Sequence, residues 1–228
     1  MIDWRDIETV LFDMDGTLLD LHYDNYFWLQ HLPKQYAQLK GWSEGDTRKF
    51  LKKKIIDQLG TLNFYCIDFW NDQLGVDIVE LKQQVNDRIA FLPHAEQLLE
   101  SIRALPMQSL IVTNAHRKTL AVKDAVINIS SYVDDVYASH DFGLPKEDPD
   151  FWGQFAAAHH FDPDKTVFVD DNEAVLESAA CYGIKHLIMP LNPDSQRPTQ
   201  SMRQPDSYTG IHSLKELLPA TGSSAYER

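Results

Sequence analysis

The segment Thr9-Val10-Leu11-Phe12-Asp13-Met14-Asp15-Gly16-Thr17-Leu18 decides the reading of this 228-residue chain. A short apolar run of the kind that forms a buried strand ends by delivering two carboxylates two positions apart. Side chains two apart on an extended backbone share a side, so Asp13 and Asp15 face one place. The pair repels itself unless a divalent cation neutralises it, and hard carboxylate oxygens suit magnesium. Gly16 lets the backbone turn, and Thr17 supplies a hydroxyl to the turn or to a bound anion. A calcium loop does not fit. With Gly16 in that loop's glycine place, the opening acid falls on Leu11 and the closing glutamate on His22. Taken alone, Asp-x-Asp-Gly is more often an acidic turn than a site.

Outward from this segment, apolar runs at Ser109–Val112, Val133–Ala138, Thr166–Val169 and His186–Met189 read as further buried strands. Helical periodicity separates the later runs, at Ala95–Ala104, Thr119–Ala125, Pro149–His160 and Asn172–Tyr182. This alternation predicts an α/β fold with a parallel sheet covered on both faces. Residues 20–92 break it. Asn25–Leu39, Glu44–Leu59, Phe64–Leu74 and Val79–Ala90 carry only helical spacings, punctuated by Gly41, Gly60 and Gly75. The expected organisation is a core of residues 1–19 and 93–228 with an inserted helical cap of residues 20–92. Such a cap sits over the carboxyl ends of the strands, where open parallel sheets bind ligands. Beyond Pro190 a polar, proline-punctuated stretch reads as a loop, Ser213–Leu218 as a short helix and Thr221–Arg228 as a loose tail.

The chain has 34 acidic against 21 basic residues, a formal charge of −13. That balance repels a nucleic-acid polymer and offers no basic face for one. Cys66 and Cys181 lack metal-ligand or redox spacing and read as reduced thiols. No apolar run approaches the roughly 20 residues that span a bilayer, and the charged start is no signal peptide, so a cytoplasmic location is expected.

Three further polar signals stand at predicted strand ends or just past them. Thr113-Asn114 brings a hydroxyl and an amide able to donate to phosphate oxygens, although the pair is also a helix-cap signal. Gly143-Leu144-Pro145-Lys146 sets a lysine after a turn, where its charge can offset a phosphoryl group. Asp170-Asp171-Asn172 delivers acids into a helix start. In order and placement these resemble the four motifs of the haloacid dehalogenase superfamily, with a likeness running from about Thr9 to Met189. Leu19–Trp28, Asn63-Phe64-Tyr65-Cys66, Thr113-Asn114-Ala115-His116 and Pro145-Lys146-Glu147-Asp148 resemble more narrowly its bacterial GMP/IMP 5′-nucleotidases.

The resemblance implies a Rossmann-like core and a magnesium-dependent phosphomonoester hydrolase. Asp13 would be the nucleophile that forms an aspartyl-phosphate, and Asp15 the acid and then the base. Thr113, Asn114 and Lys146 would cradle the phosphate. Asp13, the backbone carbonyl of Asp15 and Asp171 would hold Mg2+, with Asp170 in the same site through water. The substrate implied is a small purine nucleoside monophosphate, GMP or IMP. The aromatic residues Tyr23, Tyr26, Phe27, Trp28, Phe64, Tyr65, Phe69 and Trp70 are candidates to stack on its base, though most such residues build a core. Asn25 and His116 have local hydrogen bonding as their default. A metal-free dehalogenase lacks an acid at the position of Asp15. A sugar-phosphate phosphatase or phosphomutase shares the motifs, and a catalytically idle phospho-ligand module would not need them all intact.

Overall fold

A computed structural model describes residues 2–199 and 208–219. β1 (Thr9–Phe12), β2 (Gln108–Thr113), β3 (Asp135–Ala138), β4 (Thr166–Val169), β5 (His186–Pro190) and β6 (Thr209–Ile211) form one parallel sheet in the order 3-2-1-4-5-6. β1 lies between β2 and β4, with Phe12 opposite Ile111 on one side and Val169 on the other. The strand order therefore reverses beside β1, which is where an open α/β sheet leaves a crevice at its carboxyl ends.

The alternating sides of β1 feed two cores. Val10 and Phe12 pack with Ile111, Leu98, Leu99 and Ile102 on one face, and Leu11 packs with Leu110, Phe168, Trp152 and Phe155 on the other. α7 (Ala95–Arg103) shows why its sequence folds as it does. Ala95, Leu98, Leu99 and Ile102 recur at helical spacing and are all buried. α8 (Arg117–Ile127), α9 (Pro149–Ala158) and α10 (Glu173–Tyr182) complete the layers. Asp148 and Asn172 cap the last two with side-chain oxygens.

Between β1 and α7 the chain forms α1 (His22–Tyr26), a π turn (Phe27–His31), α2 (Leu32–Lys40), α3 (Glu44–Ile56), α4 (Leu62–Tyr65), α5 (Ile67–Leu74) and α6 (Ile78–Gln83). These helices bury a core of their own around Tyr23, Phe27, Leu51, Ile67 and Trp70. The insertion leaves and re-enters through a narrow stalk. Leu19 bridges to Phe91, the Leu92 N–H donates to Leu18 at 2.8 Å, and the Asp20 N–H donates to Ala90 at 2.9 Å.

Several expected boundaries move. Phe64–Leu74 is two helices, because Cys66 adopts an extended conformation (φ −82°, ψ 110°). The helix expected over Val79–Ala90 ends at Gln83, a 3-10 turn follows at Asn86–Arg88, and the chain then extends into the stalk. The stretch beyond Pro190 is not all loop. Thr209–Ile211 pairs with β5, a three-residue edge strand too short to show alternation. Leu214–Leu217 is a 3-10 turn within the expected Ser213–Leu218 helix. The expected tail at Thr221–Arg228 lies outside the described residues. Among the described residues no helix is long and apolar enough to cross a membrane.

Phe155 is fully buried, with Tyr137, Phe142 and Phe161 rings at 5.3, 5.9 and 5.6 Å. Phe155→Ala should therefore cost about 3–5 kcal/mol, read as a lowered midpoint in denaturant unfolding.

Candidate active site

The seven residues singled out in the sequence, Asp13, Asp15, Thr113, Asn114, Lys146, Asp170 and Asp171, line one cavity of about 400 Å³ at the carboxyl ends of β1, β2 and β4. Its far wall comes from the insertion, through Asp24, Asn25, Trp28, Phe64, Tyr65, Trp70 and Lys82.

Lys146 stands at the centre, 1% exposed. Its Nζ donates to Asp13 Oδ1 at 2.5 Å, to Asp170 Oδ2 at 2.7 Å and to the Val112 carbonyl at 2.9 Å. Desolvation disfavours its charge, but these two carboxylates override that and hold the ammonium protonated. Asp170 is committed on both oxygens, since Oδ1 accepts the Asn172 N–H at 2.8 Å. The Asp171 carboxylate has no hydrogen-bond partner among the described residues. It lies against Gly16, where an added Cβ would stand 2.5 Å from Asp171 Oδ2.

Asp13, Asp170 and Asp171 each bring a carboxylate oxygen within 4.8 Å of the other two. Burial pushes Asp13 up to about 6, with Asp170 adding to the rise and Lys146 opposing it. Burial and the same-charge neighbours Asp170 and Asp13 carry Asp171 well above the usual carboxylate range. Here three crowded hard oxygen donors carry more negative charge than one lysine offsets. That donor set fits a magnesium ion, which would relieve the crowding.

Asp15 belongs to a second network. Lys123 of α8 donates to Asp15 Oδ1 at 2.5 Å and to Asp24 Oδ2 at 2.6 Å, and Lys82 of α6 donates to Asp24 Oδ1 at 2.6 Å. Burial pushes Asp15 up to about 6, against the pull of Lys123 and with help from Asp24 and Asp13. Burial would raise Asp24 too, but its two lysines hold it far below the usual range.

Thr113 Oγ1 accepts the Ala115 N–H at 3.0 Å, which leaves its own hydrogen available to the cavity. Asn114 is placed differently from a free phosphate donor. Its Oδ1 accepts the Lys146 N–H at 2.9 Å and its Nδ2 donates to Glu147 Oε2 at 2.8 Å, so both ends of the amide fix the loop that carries Lys146. Among the described residues the buried Thr17 hydroxyl has no hydrogen-bond partner, so it does not bond the turn. His116 caps α8, the local bond expected of it, whereas Asn25 donates to Asp194 across to the core at 2.7 Å rather than locally.

Sequence reading gave no role to Lys82, Lys123, Asp24 or Glu147. A signal exists for the lysines: Lys82 follows buried Ile78 by four residues and Lys123 follows buried Thr119 by four, so each lies on a buried helix face. Glu147 accepts the Tyr65 hydroxyl of the insertion at 2.5 Å, as well as Asn114.

The chain belongs to the haloacid dehalogenase-like hydrolases, a family that matches it over residues 10–189. It is 35% identical over 219 residues to the GMP/IMP nucleotidase of Escherichia coli (strain K12), covering 96% of this chain and 97% of that one. Among solved structures, a HAD phosphatase from Thermococcus onnurineus superposes with a TM-score of 0.74 at 20% identity, covering 92% and 96% of the two chains. A magnesium-bound HAD hydrolase from Bacillus subtilis superposes with a TM-score of 0.61 at 18% identity, covering 92% and 96%. The protein is a hydrolytic enzyme with the fold of these relatives.

Gly16 combines a φ of +88° with its approach to Asp171. Gly16→Ala should lose about 1–2 kcal/mol from the left-handed backbone alone. It should also displace Asp171, so that thermal unfolding shows a lower Tm than the backbone strain alone would give.

Proposed function

We propose that the enzyme is a magnesium-dependent phosphomonoesterase that acts through an aspartyl-phosphate on Asp13, with purine nucleoside 5′-monophosphates such as GMP and IMP as substrates. The observation that carries this reading is the placement of the Asp13 carboxylate. It sits at the mouth of the crevice beside β1, fixed by Lys146 on one oxygen, with Asp15 two residues on and opening into the same cavity.

In this reading Asp13 attacks phosphorus, and the P–O bond to the leaving group breaks as the Asp13 O–P bond forms. Asp15 gives its proton to the leaving ribose oxygen, then takes one from the water that hydrolyses the acyl-phosphate and restores both groups. Its raised affinity for a proton suits the acid role. Lys146 orients Asp13, and with the Thr113 hydroxyl it meets charge on the phosphoryl oxygens. Asn114 holds Lys146 in place. Asp13, Asp171 and the Asp15 carbonyl would hold Mg2+, with Asp170 behind them, and the ion would supply charge stabilisation at the phosphoryl oxygens.

Residues 1–19 and 93–228 then carry the chemistry, and residues 20–92 choose the ester. The 35%-identical relative is named for GMP and IMP. The wall of Trp28, Phe64, Tyr65 and Trp70 gives a base somewhere to stack, a contact worth about 1–3 kcal/mol per base in nucleic-acid sites. Two free thiols suit a cytoplasmic enzyme.

Phosphate release from a panel of nucleoside monophosphates and sugar phosphates tests the assignment. Purine nucleotides should be turned over only with Mg2+. Turnover of sugar phosphates alone would remove the nucleotidase reading, and turnover without metal would remove the mechanism as well. Asp13→Asn should show no turnover in a pure preparation.

Lys123→Met tests the role of Asp15. The ammonium of Lys123 stabilises ionised Asp15, so its removal raises the proton affinity of that acid further. If loss of the Asp15 proton limits kcat as pH rises, the alkaline limb of the kcat profile should move to higher pH in the variant. A limb that stays in place or moves down would exclude Asp15 as the acid.

A further inference from the structure

Beside the catalytic cavity, three side chains with metal-ligating atoms converge from three separate segments. Cys66 lies at the break between α4 and α5, His116 caps α8, and His140 lies in the single 3-10 turn Ser139–Asp141 that follows β3. One ligand atom of each falls within 4.8 Å of the other two. The two imidazoles meet edge to face with centroids 4.7 Å apart. His140 is the telling member. Both of its ring nitrogens are buried, and neither has a hydrogen-bond partner among the described residues. A buried imidazole with nothing to bond is costly unless a ligand completes it.

The neighbours suit a cation. His116 Nδ1 accepts the Lys118 N–H at 3.3 Å, which leaves Nε2 as the nitrogen open to an ion, and Asp68, paired with Lys118 at 2.5 Å, adds negative charge 3.7 Å from that nitrogen. Tetrahedral Zn–N and Zn–S bonds of about 2.0–2.3 Å set ligand atoms roughly 3.3–3.8 Å apart, so about an ångström of side-chain movement closes the site.

We propose that Cys66, His116 and His140 form a second metal site, distinct from the oxygen-lined centre at Asp13, for a thiolate-accepting divalent ion of the zinc class, and that this ion ties the helical insertion to the core. On binding, the Cys66 thiol releases its proton to solvent and its sulfur bonds the ion, with two imidazole nitrogens as further ligands and water in the fourth place. Sulfur and nitrogen donors select against magnesium, so the two centres do not compete for one ion. His116 lines the cavity, and Tyr65 and Ile67, which flank Cys66, line it too. An ion held here fixes the cavity's outer wall against its floor.

The test uses Co2+ as a spectroscopic probe of the full chain in excess Mg2+. Thiolate–Co2+ bonds give a charge-transfer absorption that an oxygen-lined centre does not produce. One equivalent should develop this band in the wild type and in Cys181→Ala, and Zn2+ should abolish it. Cys66→Ala should lack it, and His140→Ala should weaken Co2+ binding more than about 10-fold. Absence of the band in the wild type, or its persistence in Cys66→Ala, overturns the proposal. Where Cys66→Ala does not fold, alkylation of the wild type decides the same point. Zn2+ should protect Cys66 but not Cys181 from iodoacetamide, and equal labelling overturns the site. None of these readouts depends on phosphatase activity, so their failure would leave the catalytic assignment standing.

Discussion

A lysine ammonium enclosed at the ends of three strands sets the geometry of everything around it. Lys146 is buried, and its Nζ bonds Asp13 after β1, Asp170 after β4 and the Val112 carbonyl within β2. Neither burial of the cation nor burial of the acids is favourable by itself; removing one member of such a group typically costs about 3–5 kcal/mol because it strands the others. The parallel register makes the arrangement possible, since Phe12 and Val169, the last residues of β1 and β4, lie side by side, with Ile111 of β2 opposite Phe12. The nucleophile candidate is thus positioned by sheet pairing and by charge together.

A second set of buried charges joins the insertion to this core. Lys82, Asp24, Lys123 and Asp15 form a continuous line from α6 to the first motif, and Tyr65 reaches Glu147 beside Lys146. These contacts differ from the apolar packing of the insertion's own centre. Long-range Coulomb forces inside a low-dielectric cleft respond steeply to separation. Displacing the helices from the core would therefore be felt at the acid Asp15 as well as at the cavity wall.

Much of the core was legible because interior parallel strands leave continuous apolar runs. Thr9–Phe12 and Thr166–Val169 occur with the limits expected from sequence. What was hidden has physical reasons. Phe64 to Leu74 has unbroken apolar spacing and no glycine or proline, yet the helix stops at Cys66. Tertiary bonds hold the break open, with Tyr65 turned toward Glu147 and Trp70 Nε1 donating to the Phe64 carbonyl at 2.9 Å. Thr209–Ile211 is a strand only because β5 offers an edge. The motif residues were readable from their strand ends, whereas the lysines that set their charge lie on helices far away in sequence. Their partners become visible only once helix phase and docking are known. Asn114 shows the limit on the other side: its position was legible, but not its bond to Glu147.

The stalk at Leu18–Asp20 and Ala90–Leu92 has an evolutionary meaning. The insertion leaves and re-enters the core at two adjacent stretches, while the six strands pair without it. A chain that enters and leaves a fold at neighbouring points behaves as a graft. Its contents can be lengthened, rebuilt or exchanged with little disturbance to the strand pairing beneath, provided that its few buried charges still meet their partners. Insertion and core can then diverge at different rates within one gene.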